Sequence, residues 1–180
     1  HGVSSALLVN RVHTEIERLL RENPEPGKLL KSLDEFIYKD FGTMWYYLSA
    51  FCGLLDFGRN KLVYSNHGHP PQMLLQSSDN KIVLMESQTL LMGIGMDTAD
   101  VYNTETPFAK GDRIFLFTDG VIEAKDKDGE LFGYERLEEF VRRSAGAGVV
   151  GFNASLVKRL DEFQSGGQND DIFLLTIQVK

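Results

Sequence analysis

Hydrophobic positions recur at two different spacings along this chain, which divide it into a helical beginning and a strand-rich remainder. In the N-terminal part, apolar side chains stand three or four residues apart, which predicts helices over residues 4–21 and 27–41. Pro24 and Pro26 interrupt this pattern and predict a short turn between the two helices. Either helix could present its apolar face to a partner, but a stripe this regular is typical of a face packed on the core.

From Trp45 onward the pattern changes to short apolar segments separated by short gaps. Such gaps favour antiparallel hairpins over strand–helix–strand crossovers. Strands are predicted within residues 45–56, 61–65, 72–76, 81–85, 101–106, 113–120 and 172–179. Two further helices are predicted, one over residues 134–143 and one that Asn153 caps and that runs to residue 163.

The composition limits the classes of protein to which the chain can belong. Its 180 residues, of which 42% are hydrophobic, are enough for the core of one domain or a little more. A formal net charge of −7 argues against a general nucleic-acid-binding protein. Cys52 is the only cysteine in the sequence, so an internal disulfide or a cysteine-based zinc site is excluded. No apolar run approaches the roughly 18 residues of a membrane helix, and we expect a cytoplasmic protein without membrane insertion.

Two acidic motifs beside apolar segments carry the candidate chemistry. Asp119 stands at the end of one buried strand, whereas Asp170 and Asp171 stand at the start of another. If the two strands are antiparallel neighbours, Asp119 and Asp170 converge at one edge of a sheet. Converging carboxylates repel each other unless a metal ion or a shared proton holds them. Oxygen ligands favour Mg²⁺ or Mn²⁺ over zinc.

Three local features of the sequence have a purely structural interpretation. Asp-Gly at residues 119–120 is a common turn dipeptide when taken alone. The acidic stretch 126–130 resembles a calcium-binding loop, but its glycine is the fourth residue instead of the sixth, which favours a hairpin turn. Gly93 and Gly95 form too weak a pattern for a phosphate-binding loop, so a nucleotide-binding switch has little support.

Four motifs occur here in an order that is typical of one protein family. They are His1-Gly2-Val3 with Ala6-Leu7-Leu8, Ser65-Asn66-His67-Gly68-His69-Pro70-Pro71, residues 117–124 around Thr118-Asp119-Gly120, and Asp170-Asp171-Ile172 with the apolar run behind it. In this combination the chain resembles the PP2C-like (PPM) serine/threonine phosphatases of the bacterial SpoIIE/RsbU type. The resemblance extends over nearly the whole chain.

The resemblance implies an α+β fold, a PP2C-like sandwich of two mainly antiparallel β-sheets flanked by α-helices. It implies one phosphatase domain over residues 1–180, N-terminally incomplete because the family's N-terminal strands are absent from this chain. It also implies two Mn²⁺ or Mg²⁺ ions held by Asp119 and Asp170, with Asp171 as a third ligand that is less regular in the family. Thr118 and Gly120 would shape the turn that aims Asp119, and no separate catalytic side chain is assigned.

Three positions depart from the family's pattern. The family's bridging aspartate is expected four residues before His1, a position upstream of the first residue of this sequence. His67 stands where the family usually has alanine, and Phe173 where it usually has threonine. The last two departures are compatible with ordinary variation, whereas the first makes the domain as given incomplete.

Histidine and basic residues near these motifs have open interpretations. His69, beside two prolines, could act on the leaving group or contact substrate, or it could be a structural histidine bonded to a backbone carbonyl. Lys110 and Arg113 could meet phosphate, although a basic residue before a strand is more often part of a solvated edge.

The leading hypothesis is the hydrolysis of phosphoserine or phosphothreonine on a protein partner by a metal-activated water. The resemblance implies that the partner is a phosphorylated regulatory protein of the STAS, anti-anti-sigma type, in bacterial stress or sporulation signalling, and a homodimer is a further expectation. The alternative is a non-catalytic pseudophosphatase that binds the same partner as a regulatory module. The bridging aspartate missing from the chain favours the alternative, whereas the presence of Asp119 and Asp170 opposes it.

Overall fold

A computed structural model describes residues 3–22, 25–42, 46–95, 100–164 and 171–180. The helices are α1 (Val3–Glu22), α2 (Pro26–Phe41), α3 (Asp119–Ile122), α4 (Gly133–Arg143) and α5 (Val149–Phe163). The strands are β1 (Ala50–Asp56), β2 (Lys61–His67), β3 (Gln72–Gln76), β4 (Lys81–Met85), β5 (Thr104–Pro107), β6 (Arg113–Phe117) and β7 (Leu174–Gln178). The chain divides into two compact units, and each contains one antiparallel sheet.

The first unit comprises His1–His69 and Ser87–Pro107. Its sheet has the order β1-β2-β5, and Cys52 of β1 pairs with Ser65 of β2 in the register. Helix α2 packs on this sheet and α1 packs on α2. The buried apolar side chains of this core are Leu19, Leu29, Leu30, Leu33 and Ile37 of the helices and Met92 of a loop. Pro26 is the first residue of α2, a position at which a helix loses no hydrogen bond to proline. The predicted turn residue Pro24 lies outside the described residues.

The second unit comprises Pro70–Glu86 and Phe108–Lys180. Its sheet has the order β4-β3-β6-β7, and all three pairings are antiparallel. Helices α4 and α5 bury their apolar faces with this sheet in a second core. Phe152 of α5 is completely buried, and its ring centroid lies 4.8 Å from that of Phe115 on β6 and 5.5 Å from that of Phe140 on α4.

The α+β architecture with two antiparallel sheets is confirmed, but two local predictions were wrong. Asn153 does not cap the last helix, because α5 already begins at Val149 after the extended residue Gly148. The Asn153 side chain lies inside the helix, where its Oδ1 accepts a hydrogen bond from Thr176 Oγ1 of β7 (2.6 Å). The last strand begins at Leu174, two residues later than predicted.

Two further features of the fold bear on function. The short helix α3 was not predicted, and it begins at the candidate ligand Asp119 itself. The acidic stretch 126–130 is a hairpin turn as predicted, in which Asp126 Oδ1 accepts hydrogen bonds from the backbone N–H groups of Asp128 and Glu130. No helix among the described residues is long and apolar enough to cross a membrane.

Candidate metal centre at the end of strand β6

Strand β6 is a buried strand that ends just before an acidic residue. Ile114, Phe115 and Phe117 are buried, as the apolar run predicted, and Arg113 at the start of the strand is buried as well. Thr118 keeps an extended backbone (φ −83°, ψ 164°), and the chain turns into α3 at the next residue, Asp119. The carboxylate of Asp119 is half-buried, and its Oδ1 accepts a hydrogen bond from the Gly120 backbone N–H over 3.1 Å.

The end of β6 lies against the segment that enters β7. In the antiparallel register, Phe117 pairs with Leu174, and the Thr118 backbone N–H donates to the carbonyl oxygen of Phe173 (3.2 Å). The Thr118 hydroxyl accepts a hydrogen bond from the Phe173 N–H (2.9 Å) and donates one to the carbonyl oxygen of Asp171 (3.0 Å). The predicted meeting of one strand's end with the other's start is therefore confirmed for these two strands.

The structure describes two of the three predicted metal ligands, Asp119 and Asp171. Asp119 and Asp171 belong to the two segments that Thr118 joins, and the Asp171 side chain is exposed. Asp170 immediately precedes Asp171 but lies outside the described residues, so its approach to Asp119 stays a prediction. Within the described part of the chain, no group of three or more histidine, cysteine, aspartate or glutamate side chains is placed to hold a metal ion. Carboxylate and carbonyl oxygens at this point fit a hard cation such as Mg²⁺ or Mn²⁺.

Gln72 fixes the last residue of β6 from the opposite side of the strand, and the sequence reasoning missed it. The register of β3 with β6, continued by two residues, places Pro71 opposite Phe117. Proline has no N–H to donate. The fully buried Gln72 side chain therefore takes the place of the Pro71 backbone as the hydrogen-bond partner of Phe117. Its Oε1 accepts from the Phe117 N–H (2.6 Å), and its Nε2 donates to the Phe117 carbonyl oxygen (3.1 Å).

The Pro70-Pro71 segment is itself held by two side chains of the second unit. Gln72 Nε2 also donates to the carbonyl oxygen of Pro70 (2.7 Å), and Tyr134 Oη donates to that of Pro71 (3.2 Å). Burial raises the pKa of the Tyr134 hydroxyl, and the negative charge of Glu86 adds to this effect. The hydroxyl therefore stays protonated and remains a donor throughout the physiological pH range. A glutamine directly after two prolines in a buried strand was the available sequence signal.

The histidine motif of the first unit forms a closed turn. Asn66 Oδ1 accepts from the His69 backbone N–H (2.9 Å) across Gly68, which has a φ of +64°. His69 Nδ1 lies 3.1 Å from the hydroxyl of Ser49, which gives this histidine a side-chain partner. His67 is buried, and burial lowers the pKa of its imidazole while the charge of Asp34 opposes that effect. His1 lies outside the described residues.

Three other candidate positions, Lys110, Arg113 and Gly93, lie in different environments. Arg113 is only 5% exposed, so the interpretation of this residue as a solvated strand edge was wrong, whereas Lys110 is exposed. Gly93 has a φ of +89°, and a Cβ there would stand 2.6 Å from the Tyr46 carbonyl oxygen. The Gly93 backbone N–H donates to Asp34 Oδ1 (2.6 Å). These contacts give Gly93 a packing role in its loop.

Comparison with known proteins connects this arrangement to one family. The family model described as Stage II sporulation protein E (SpoIIE) matches residues 1–180. The phosphoserine phosphatase RsbU of Bacillus subtilis (strain 168) is 27% identical over 185 residues, covering 99% of this chain and 52% of RsbU. This chain therefore spans about half the length of that relative.

Solved structures share the fold at lower sequence identity. The SiaA-PP2C domain of Pseudomonas aeruginosa aligns with a TM-score of 0.86 at 22% identity, covering 100% of this chain and 72% of that one. The catalytic domain of the serine threonine protein phosphatase PstP, in complex with two manganese ions, aligns with a TM-score of 0.62 at 13% identity. That alignment covers 95% of this chain and 82% of the PstP chain. At these identities the likeness establishes the fold.

Proposed function

Because this chain belongs to the SpoIIE family, we propose that it is a PPM-type protein phosphatase that hydrolyses phosphoserine or phosphothreonine on a regulatory protein by a metal-activated water. The name of RsbU, a phosphoserine phosphatase, and the PP2C fold of the SiaA domain support this proposal. The observation that carries it is the Thr118 hydroxyl bond to Asp171, which joins the two acidic segments at one sheet edge.

In this proposal the ligands of the metal ions are Asp119, Asp170 and Asp171. The manganese ions in the PstP structure support a choice of Mn²⁺ or Mg²⁺, with two ions in the complete domain. A divalent cation bound there would neutralise phosphate charge and lower the pKa of a coordinated water towards neutrality. The oxygen-only donor set agrees with such a cation.

The chain's own contribution is to hold these acidic residues in place. Gln72 binds both backbone polar groups of Phe117, and Thr118 binds the entry to β7. The main chain just before Asp119 is therefore fixed from both neighbouring strands. A ligand on a rigid strand end keeps its position better than one on a free loop, because the surrounding contacts define its geometry before a cation binds.

The partner and the setting of the reaction are also proposals. The name of RsbU, a phosphoserine phosphatase, supports a phosphoserine substrate. We propose that this substrate is a phosphorylated regulatory protein of the STAS, anti-anti-sigma type. We further propose that residues 1–180 form one PP2C-like domain that works in the cytoplasm and associates as a homodimer. These four proposals rest on the family membership, and none of them depends on which residues bind the metal ions.

The experiment compares Asp119→Asn and Asp170→Asn with the unchanged protein, using its full natural chain. The readouts are phosphate release from a phosphoserine protein with Mn²⁺ present and Mn²⁺ binding by calorimetry. Mutating a residue that only supports a metal ligand lowers activity by up to roughly 100-fold. A metal ligand itself contributes more, so we expect each variant to lose at least about 100-fold in activity. Asp128→Asn, which changes an exposed carboxylate of the 126–130 turn, is the matched control and should keep full activity.

Two results would count against this proposal. Near-normal turnover by either ligand variant would remove the metal assignment. An unchanged protein that binds the phosphorylated partner and Mn²⁺ but releases no phosphate would instead support the pseudophosphatase alternative.

A further inference from the structure

A groove beside helices α4 and α5 of the second unit concentrates positive charge in a chain whose formal net charge is −7. Its volume is about 570 Å³. Among the residues that the structure describes, its polar lining includes Arg136, Arg143 and Arg159 but only one carboxylate, that of Glu139. The volume lies within the range of roughly 300–1,000 Å³ that is usual for small-molecule sites.

The sequence of α4 places its groove residues on one face of the helix. Arg136, Glu139, Phe140 and Arg143 are spaced as i, i+3, i+4 and i+7, so they form one stripe. Arg159 contributes a third guanidinium from α5. The three positive charges therefore come from two helices and line one concave surface.

Arg136 is held in place before any ligand arrives. Its Nη1 donates to the carbonyl oxygens of Leu131 (2.7 Å) and Phe132 (3.2 Å). Its Cζ lies 5.3 Å from the ring centroid of Phe163, a cation–π distance. A guanidinium has five N–H donors, and these contacts occupy only one of its nitrogens. A side chain ordered in advance reduces the entropy lost on binding.

The other two arginines are available at little cost. Arg143 pairs with Glu139 at 3.3 Å, but their side chains are 78% and 67% exposed, and pairs this exposed contribute little stability. Within the described part of the chain Arg159 has no ion pair, and its neighbour Lys158 pairs with Glu162 instead (3.7 Å). A ligand in the groove therefore competes with one weak ion pair only.

We propose that this groove binds a small molecule that carries two linked phosphate groups. Arginine forms paired, charge-assisted hydrogen bonds with phosphate oxygens. Arg136 and Arg143 are seven residues apart, which corresponds to about 10 Å along the helix axis. Two linked phosphate groups reach both ends of such a stripe better than a single phosphate does. This binding does not depend on the proposed phosphatase activity.

The test is a calorimetric titration of the full chain with pyrophosphate. A metal chelator is present throughout, so that pyrophosphate cannot bind through cations at Asp119. The groove variant is Arg143→Gln with Arg159→Gln. The matched control is Arg142→Gln with Lys158→Gln, which removes the same charge from neighbouring residues that do not line the groove. We expect the control to bind like the unchanged protein and the groove variant to bind at least about tenfold more weakly.

Three results would overturn the proposal. Equal weakening in both double variants would show a general effect of charge, and no binding by the unchanged protein would show that the groove is not a phosphate site. Binding of a phosphoserine peptide without binding of pyrophosphate would identify a protein-docking surface instead. If circular dichroism shows that the groove variant is unfolded, Arg159→Gln alone against Lys158→Gln gives the same comparison at two exposed positions.

Discussion

The hydroxyl of Thr118 donates a hydrogen bond to the carbonyl oxygen of Asp171 (3.0 Å), although the two residues are 53 positions apart in the chain. The same hydroxyl accepts a hydrogen bond from the N–H of Phe173 (2.9 Å). Since Asp119 follows Thr118 and Asp170 precedes Asp171, this one side chain connects the two places where the metal ligands are proposed.

Replacing the hydroxyl by a methyl group tests that connection. In Thr118→Val both bonds are lost with little change in shape, so we expect unfolding to become easier by about 1 kcal/mol. Mn²⁺ binding should weaken as well, because the two acidic segments are no longer tied together. Urea denaturation and Mn²⁺ titration measure the two effects. Thr118→Ser keeps the hydroxyl and should restore both, whereas full Mn²⁺ affinity in Thr118→Val would contradict the proposed role.

Gln72 offers a second test, on the other neighbouring strand. Gln72→Leu removes the two buried hydrogen bonds that the Gln72 side chain makes with Phe117, and the loss of a partner in a buried hydrogen bond costs roughly 1–3 kcal/mol. We therefore expect a loss of roughly 3 kcal/mol or more in the free energy of unfolding, measured by denaturant titration. Gln76→Leu at the other end of β3, where the side chain is only half-buried, should change stability far less. Equal effects of the two changes would show that the hydrogen bonds from Gln72 to Phe117 add no stability of their own.

His67 makes stability depend on pH in a defined direction. Its side chain is only 3% exposed, and its Nε2 has no hydrogen-bond partner among the described residues. Burial lowers the pKa of this imidazole in the folded state, so the unfolded chain binds the proton more readily. Stability is therefore full above the ordinary histidine pKa of about 6.5. It falls as the pH drops below that value and levels off below the lowered pKa of the folded state.

Denaturation curves at a series of pH values would measure this effect. The slope contributed by one histidine is at most about 1.4 kcal/mol per pH unit, and His67→Gln should remove it. His13→Gln, at an exposed position of α1, should leave the slope unchanged. A slope that persists in His67→Gln would assign the pH dependence to other groups.

Phe152 of α5 holds the second core together through contacts with two other elements, β6 and α4. Its ring is completely buried and meets Phe115 and Phe140 at centroid distances of 4.8 and 5.5 Å. Phe152→Ala leaves a large cavity, and we expect a loss of about 3–5 kcal/mol in thermal or chemical denaturation. Val150→Ala, at a position that is 81% exposed on the same helix, should change stability by no more than about 0.5 kcal/mol. A loss in Phe152→Ala no larger than that in Val150→Ala would show that the buried ring of Phe152 contributes little to the stability of this core.

Local patterns determined much of the fold from the sequence. The predicted strands 72–76 and 81–85 coincide with β3 and β4, and the predicted helix 134–143 differs from α4 by one residue. Hydrophobic periodicity and turn residues act over a few neighbouring positions, so these elements can be inferred without knowing what they pack against. The sequence analysis made the convergence of the two acidic motifs depend on an antiparallel pairing of their strands, and β6 and β7 do pair in that way.

The contacts that shape the candidate site were decided by the tertiary structure. Gln72 binds Phe117 from 45 residues away, and Thr118 reaches Asp171 from 53. Asn153 illustrates the same limit, since its polar side chain predicted a helix cap but in the structure binds Thr176 on β7. Such partners depend on the register of strands that are distant in sequence, and the register is set by which face of each sheet is buried. A sequence read residue by residue supplies the donors and acceptors, whereas packing selects which of them meet.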